Sequence, residues 1–244
     1  MGSSTSAPRG MANVNCVEAD ALDTPVFTRL KNKRIVLASG SPRRVELLAS
    51  VGLRPEVVPS RFEEDLPKNE FAGEGVHEYP VQTASHKAME VYERLVREQP
   101  DTPPDLVIAA DTIIVYGEEI MEKPTNKMDN LRMLADLSGH SCTAMTGVAI
   151  VHPILQSPGF KVRTLVEQTR LHFSDTPASV LQAYVDSEEG LDRAGGFAIQ
   201  GKGALLVRGV EGDYSNVVGF PVFSFFALLH ELVENGELDL EGTD

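Results

Sequence analysis

Short, unbroken apolar runs alternate along this chain with stretches whose apolar residues recur every three or four positions. The first run, "RIVLAS" (34–39), is apolar and β-branched and predicts a buried strand. Pro42 then suits the first turn of a helix, Val45, Leu48 and Val51 with Leu47 beside them form an apolar stripe, and Gly52 is a natural stop. "EVVPS" (56–60) predicts a second strand, followed by the acidic loop "RFEEDLPKNE" (61–70). Ala84, Ala88, Val91, Tyr92 and Leu95 fall at helical spacing and predict a long helix. After the loop "PDTPP" (100–104), "DLVIAAD" (105–111) is the clearest buried strand, and "TIIVYGEEIMEKP" predicts a hairpin turning near Gly117. Leu131, Leu134 and Ala135 mark a further helix ended by Gly139. "CTAMTGVAIVH" and "KVRTLVEQTRLHF" predict two long strands joined by a loop around 153–159. Pro177 opens a helix with Val180, Leu181, Tyr184 and Val185 on one face. The glycine-rich "GGFAIQGKG", a strand "ALLVRGV", a loop "EGDYSN" and a last helix over 221–233 complete the pattern. Parallel-type and hairpin connections together imply an α/β fold with a mixed sheet. No repeat and no linker interrupts 31–234, so that span reads as one domain, with a disordered tail over 1–30 and a frayed acidic end over 235–244.

Composition narrows the class. With 42% hydrophobic and 24% charged residues, the 244-residue chain is ordinary for a soluble globular protein and long enough to bury a core without staples. Its two cysteines, Cys16 and Cys142, have no paired spacing, which makes a reducing, cytoplasmic setting the default. A net charge of −14 argues against nonspecific binding to nucleic acid or to an anionic membrane. No apolar run approaches the roughly 20 residues that a membrane span requires. The opening "MGSSTS" formally matches an N-myristoylation pattern through Gly2 and Ser6, although a Ser-rich tail is the preferred reading.

Against this acidic background, "LASGSPRR" (37–44) places two arginines at a strand-to-helix turn. The free N–H groups and dipole of a helix N-terminus attract phosphate, and Arg43 and Arg44 add forked donors. A helix capped by Ser41 with solvated arginines fits the same residues, and the turn alone does not choose between the two. It is no P-loop, because the lysine-hydroxyl ending is absent, and no GxGxxG opens a helix after a strand. Asp111 and Thr112 at the end of "LVIAA" could share a crevice with Ser39 and Ser41, since ligands lie beyond the carboxyl ends of strands in open sheets. Asp111 is either a metal-bound or paired carboxylate or a turn residue, and Glu63 and Glu64 offer further oxygen ligands of the kind Mg2+ takes. Lys87 borders its helix stripe, where a lysine stem covering apolar surface is the ordinary explanation, and Lys123 follows the hairpin. Gln200 sits among glycines that bring backbone close to something, and its amide suits a base edge. The six histidines show neither zinc-ligand spacing nor a nucleophile partner.

The set "LASGSPRR", "AADT", "EKP", "TGVAIVH" and "DRAGGFAIQG…GDYSNVVGFP" resembles the Maf family of nucleoside triphosphate pyrophosphatases, from about residue 34 to 232. The resemblance implies a bent mixed sheet flanked by helices, in two lobes about a central cleft. It also implies a cytoplasmic homodimer that uses Mg2+, Mn2+ or Co2+ to cut the α–β bond of a nucleoside triphosphate. By position it implies phosphate contacts for Ser39, Ser41, Arg43 and Arg44, metal binding for Glu64 and Asp111, and catalysis by Glu64, Asp111, Lys87 and Lys123. Arg43, Thr112 and Gln200 resemble the branch acting on dTTP and UTP rather than on 7-methyl-GTP. The chain departs from the family at Arg193, where lysine is common, and at Phe197, where tyrosine is. The alternatives are a nucleotide-binding regulator with little turnover, or the same reaction on 7-methyl-GTP or CTP.

Overall fold

The computed structural model describes residues 15–64, 66–71 and 73–238. Its helices are α1 (Pro25–Leu30), α2 (Pro42–Ala49), α3 (Glu78–Glu98), α4 (Lys127–Leu137), α5 (Ala178–Asp186), α6 (Tyr214–Val218) and α7 (Val222–Glu234). The strands are β1 (Ile35–Leu37), β2 (Glu56–Val57), β3 (Leu106–Tyr116), β4 (Glu119–Met121), β5 (Ser141–Pro153), β6 (Phe160–Phe173) and β7 (Val207–Glu211). They form one mixed sheet in the order β2-β1-β3-β5-β6-β7, with β4 added on β3. β1 runs parallel to β2 and β3, and every other pairing is antiparallel. This is the mixed sheet flanked by helices that the pattern implied.

The unbroken apolar runs are strands buried on both faces, and the period of two divides them. Ile35, Leu37, Leu106, Ile108 and Ala110 face α1, α2 and α7, packing with Leu30, Leu48, Phe220, Phe225 and Leu229. Val36, Ala38, Val107 and Ala109 face the opposite way, against Ala84, Ala88 and Val91 of α3. A separate cluster packs α4 and α5 on the far ends of the long strands through Ile114, Leu134, Leu137, Leu171, Phe173 and Leu181. The sheet therefore carries a core at each end.

Several expectations change. β3 does not stop at Asp111. It continues to Tyr116, because Ile113, Ile114 and Val115 extend the buried run and pair with β5 throughout. Residues 15–30 are no disordered tail: Cys16, Val17, Val26, Phe27 and Leu30 are buried, Val17 bridges Leu53, and α1 starts at a cap by Thr24. At the other end the expected fraying fails over 235–238, where Leu238 is buried and Glu237 pairs with Lys161 and Arg163. "GDYSNVV" contains α6, capped by the Asp213 carboxylate, where a loop was expected. Ala135 is exposed, with Met133 and Leu137 taking the buried face of α4. Gly2 and Ser6, like residues 239–244, lie outside the described residues.

Candidate active site

A notch in the sheet creates the site. On one edge β3 pairs with β1 as far as Ile108, where the Ala38 N–H donates to the Ile108 carbonyl at 2.7 Å. On the same edge β3 pairs with β4 only from Ile114 onward. Among the described residues, 109–113 thus have no strand partner on that side, while β5 holds the other side in unbroken register. The turn that leaves β1 occupies the mouth of the notch, and a cavity of about 430 Å3 lies there.

The turn contributes Ser39, Ser41, Arg43 and Arg44 to the cavity wall. Asp111 and Thr112 lie on its floor with Lys87 and Glu64 beside them, and Lys123 and Gln200 line it from the lobe of α4 and α5. Glu63 is exposed and does not line the cavity. Strand parity explains the division of labour on β3. Asp111 follows Val107 and Ala109 onto the α3 face, and Thr112 follows Ile108 and Ala110 onto the face of α2 and α6.

On the α3 side, Lys87 is buried on the helix stripe between Ala84 and Ala88. Its ammonium lies 2.8 Å from Asp111 Oδ1 and 2.6 Å from Glu64 Oε1, so it is an ion-pairing group and not merely a stem covering apolar surface. Burial raises the pKa of Glu64, but the hydrogen bond and charge of Lys87, with the charges of Lys123 and Arg44, outweigh that and lower it overall. The loop carrying Glu64 is strapped to α3. Glu90 accepts from Ser60 Oγ (2.9 Å), the Arg61 N–H (3.0 Å) and Arg94 Nε (2.6 Å), and Arg94 also donates to the Pro59 carbonyl.

On the other face, Arg44 ties three segments together. It donates to the Gly219 carbonyl (2.9 Å), to Ser39 Oγ (3.0 Å) and to Thr112 Oγ1 (3.2 Å), whose hydroxyl also meets Thr146 Oγ1 at 2.9 Å. Burial lowers the pKa of Arg44, opposed by the charges of Asp111 and Glu64. Ser41 occupies the N-cap position of α2 without a side-chain cap bond, so the simple capped-turn reading does not describe it. Arg43 Nη1 is buried and has no hydrogen-bond partner among the described residues. A buried donor without an acceptor is uncommon in folded proteins, and this one stands on the cavity wall.

In the other lobe, Lys123 pairs with Asp192 at 3.0 Å, both well exposed. Gln200 is exposed at the tip of a loop whose glycines approach protein groups rather than a ligand. A Cβ on Gly196 would lie 2.2 Å from Asn130 Nδ2, and one on Gly201 would lie 2.3 Å from Glu189 Oε1. Sequence reading passed over the residues that hold this loop. Glu189 accepts from the N–H groups of Lys202 and Gly203 (3.1 Å each), Tyr184 Oη accepts from the Ala198 N–H (3.0 Å), and Asn130 donates to the Gly196 carbonyl (2.8 Å). Their partners are backbone atoms, which leave no side-chain pattern to read. The i,i+4 pair of Glu90 and Arg94 is legible in the chain, but its grip on the Glu64 loop is not.

The carboxylate set fits a hard divalent cation held partly by its ligand. Glu64 and Asp111 converge on one ammonium, and among the described residues no three His, Cys, Asp or Glu form an all-protein cage. Mg2+ characteristically takes one or two carboxylates and completes its shell with water and substrate phosphate.

Comparison with known proteins follows the same line. The family model described as "Maf-like protein" matches residues 34–232. The chain is 46% identical over 210 residues to the "Probable bifunctional dTTP/UTP pyrophosphatase/methyltransferase protein" of Homo sapiens, covering 85% of this chain but only 33% of that protein, about a third of its length. It is 41% identical over 224 residues to the "dTTP/UTP pyrophosphatase" of Schizosaccharomyces pombe, covering 89% of this chain and 91% of the other. A "dTTP/UTP pyrophosphatase" of Acetivibrio thermocellus is 39% identical over 198 residues, covering 81% and 94%. With most of its length matched both by the family model and by relatives of its own size, this chain belongs to the Maf-like protein family.

Proposed function

We propose that this chain is a nucleoside triphosphate pyrophosphatase that hydrolyses dTTP and UTP to the monophosphate and pyrophosphate. The observation that carries the reading is Lys87 bridging Glu64 and Asp111 on the floor of a cavity whose walls hold Arg43, Arg44 and Lys123. The match over most of the chain to relatives named dTTP/UTP pyrophosphatase supports the substrate class.

Asp111 offers Oδ1 to Lys87, which leaves Oδ2 to accept the proton of a water attacking the α-phosphorus. Lys87 orients that carboxylate and holds Glu64 beside it. Glu64 and Asp111 would hold a divalent ion such as Mg2+, Mn2+ or Co2+, which would supply Lewis-acid neutralisation of phosphate charge and a lowered water pKa. Arg44 keeps two of its five N–H groups beyond the three bonds it makes inside the protein, and with Arg43 and Lys123 it stabilises charge developing on the leaving pyrophosphate. Ser39 and Ser41 line the phosphate turn. Gln200 presents an amide that both donates and accepts, as a uracil-type edge requires, with Thr112 and Arg43 at the same cavity. On this reading the enzyme is a cytoplasmic homodimer, which sedimentation of the purified chain tests.

The deciding experiment incubates the protein with a panel of triphosphates and Mg2+ and measures pyrophosphate release, with Asp111→Asn and a chelator as controls. Release from dTTP and UTP, lost in both controls, is the expected result. No release from any triphosphate would favour a nucleotide-binding regulator. Release only from purine substrates, 7-methyl-GTP included, or only from CTP sinks the specificity argument.

A further inference from the structure

Most cations lining the cavity have an acceptor within the protein. Lys87 has Glu64 and Asp111, Lys123 has Asp192, and Arg44 has Ser39, Thr112 and the Gly219 carbonyl. Arg193 lines the same cavity and differs from them. Its Nε is buried with no hydrogen-bond partner among the described residues. Burial lowers its pKa, and no acidic neighbour offsets that.

The position of Arg193 is fixed by its backbone. Its N–H donates to the Gly190 carbonyl at 3.1 Å, its carbonyl accepts from the Gly196 N–H at 3.0 Å, and its backbone is extended. Its neighbour Asp192 also lines the cavity, but its carboxylate is paired with Lys123 at 3.0 Å and its side chain is 81% exposed. The side chain as a whole is half-buried, but its Nε is withdrawn from water, so the inner edge of the guanidinium is desolvated without an acceptor among the described residues. A buried N–H without an acceptor is destabilising until something fills the place. Because the group is charged and has no carboxylate partner among the described residues, an anion satisfies it better than a neutral base carbonyl does. The planar fork, with Nε–H and one Nη–H on a common edge, matches two phosphate oxygens.

We propose that Arg193 is a substrate-binding residue, gripping phosphate oxygens of the bound nucleotide from the lobe that carries α4 and α5. The nucleotide would then be held by arginines from both lobes, Arg43 and Arg44 on one side and Arg193 on the other. The proposal deepens the pyrophosphatase reading and rests on it for the identity of the anion.

The test compares the wild-type protein with Arg193→Met and Arg193→Lys. Inorganic tripolyphosphate binding in the presence of Mg2+ is measured by calorimetry, together with the KM for dTTP and the thermal midpoint. Loss of a charged hydrogen bond predicts tripolyphosphate binding weakened about 10-fold or more in Arg193→Met, with KM for dTTP raised in step. Arg193→Lys lies between, since it keeps the charge without the fork. The Arg193→Met midpoint stays level or rises, because a buried N–H without an acceptor has been removed; a merely structural arginine would lower it. Unchanged tripolyphosphate affinity overturns the proposal, and so does a wild-type protein that binds no tripolyphosphate. A loss confined to thymidine binding also overturns it, since that would assign Arg193 to the base. The binding arm needs no turnover. A protein that releases no pyrophosphate would sink the catalytic reading and still leave Arg193 to be decided by the tripolyphosphate result.

Discussion

Gly147 of β5 is paired directly with Asp111, and the first turn of α3 lies on top of it. A Cβ at this position would fall 2.3 Å from the Pro80 carbonyl carbon, 2.4 Å from its oxygen and 2.4 Å from the Val81 nitrogen. All three are backbone atoms, so no side-chain rotation relieves the clash. Gly147→Ala must push the start of α3 off the sheet by about 1 Å to restore ordinary contact. Overpacking of this kind costs about 1–3 kcal/mol, and a clash with rigid backbone belongs at the upper end. For a chain of this size, about 3 kcal/mol lowers Tm by roughly 6–12 °C. The displacement also moves the helix that carries Lys87 relative to Asp111. A misplacement of about 1 Å in a reacting constellation lowers turnover by as much as ~100-fold. Guanidinium titration and pyrophosphate release together measure both effects. Gly75→Ala is the control, because nothing lies within 4 Å of its Cβ and its backbone is unstrained. If Gly147→Ala unfolds at the wild-type midpoint and turns over dTTP normally, the account of α3 seated directly on β5 is wrong.

Three further outcomes follow from the geometry. Gln200→Glu replaces the amide donor by a carboxylate, and kcat/KM for UTP and dTTP should drop about 10-fold or more while tripolyphosphate inhibition holds; parallel losses in both would remove Gln200 from base reading. Glu189→Ala strips the acceptor from the Lys202 and Gly203 N–H groups, destabilising the loop by about 1–3 kcal/mol. Trypsin should then cleave faster at Lys202 while the global midpoint shifts little, and an unchanged cleavage rate would show that the loop is held by other contacts. Alkaline pH should weaken the fold, because burial pushes the thiol of Cys16 up to about 11 and that of Cys142 up to about 12, from an ordinary value of 9.0. Above pH 9 the unfolded chain releases these protons while the native chain keeps them, so stability falls as pH rises from 9 through 11 to 12. A urea midpoint that stays flat across that range, or rapid alkylation of the native thiols at pH 8, would contradict the burial of both.

Much of the architecture was legible because burial on both faces leaves a direct imprint. The runs "IVL" and "LVIAA" could be read as strands, and the stripe from Ala84 to Leu95 as a helix, since only apolar side chains fit those positions. The end of β3 is not legible in the sequence, because Asp111 looks like a boundary. A carboxylate inside a strand is tolerated here only because Lys87, 24 residues away, meets it. Residues 15–30 were misread because their buried residues follow no single period: Cys16 and Val17 pack beside Leu53 as irregular chain, and α1 is only six residues long.

By itself the sequence determined which residue types were available and on which face each would stand, because side-chain parity and helical period are local properties of the backbone. It placed Ser39 to Arg44 at a turn and Asp111 one strand away. Only the tertiary structure decided that they meet. Meeting required β1 to stop at Leu37, opposite Ile108, while β3 ran on, which opened the notch, and it required α3 to settle on Gly147 so that Lys87 reached both carboxylates. The same holds for Arg193. Its unusual character is a buried Nε with no partner among the described residues, and only the three-dimensional neighbourhood reveals that lack.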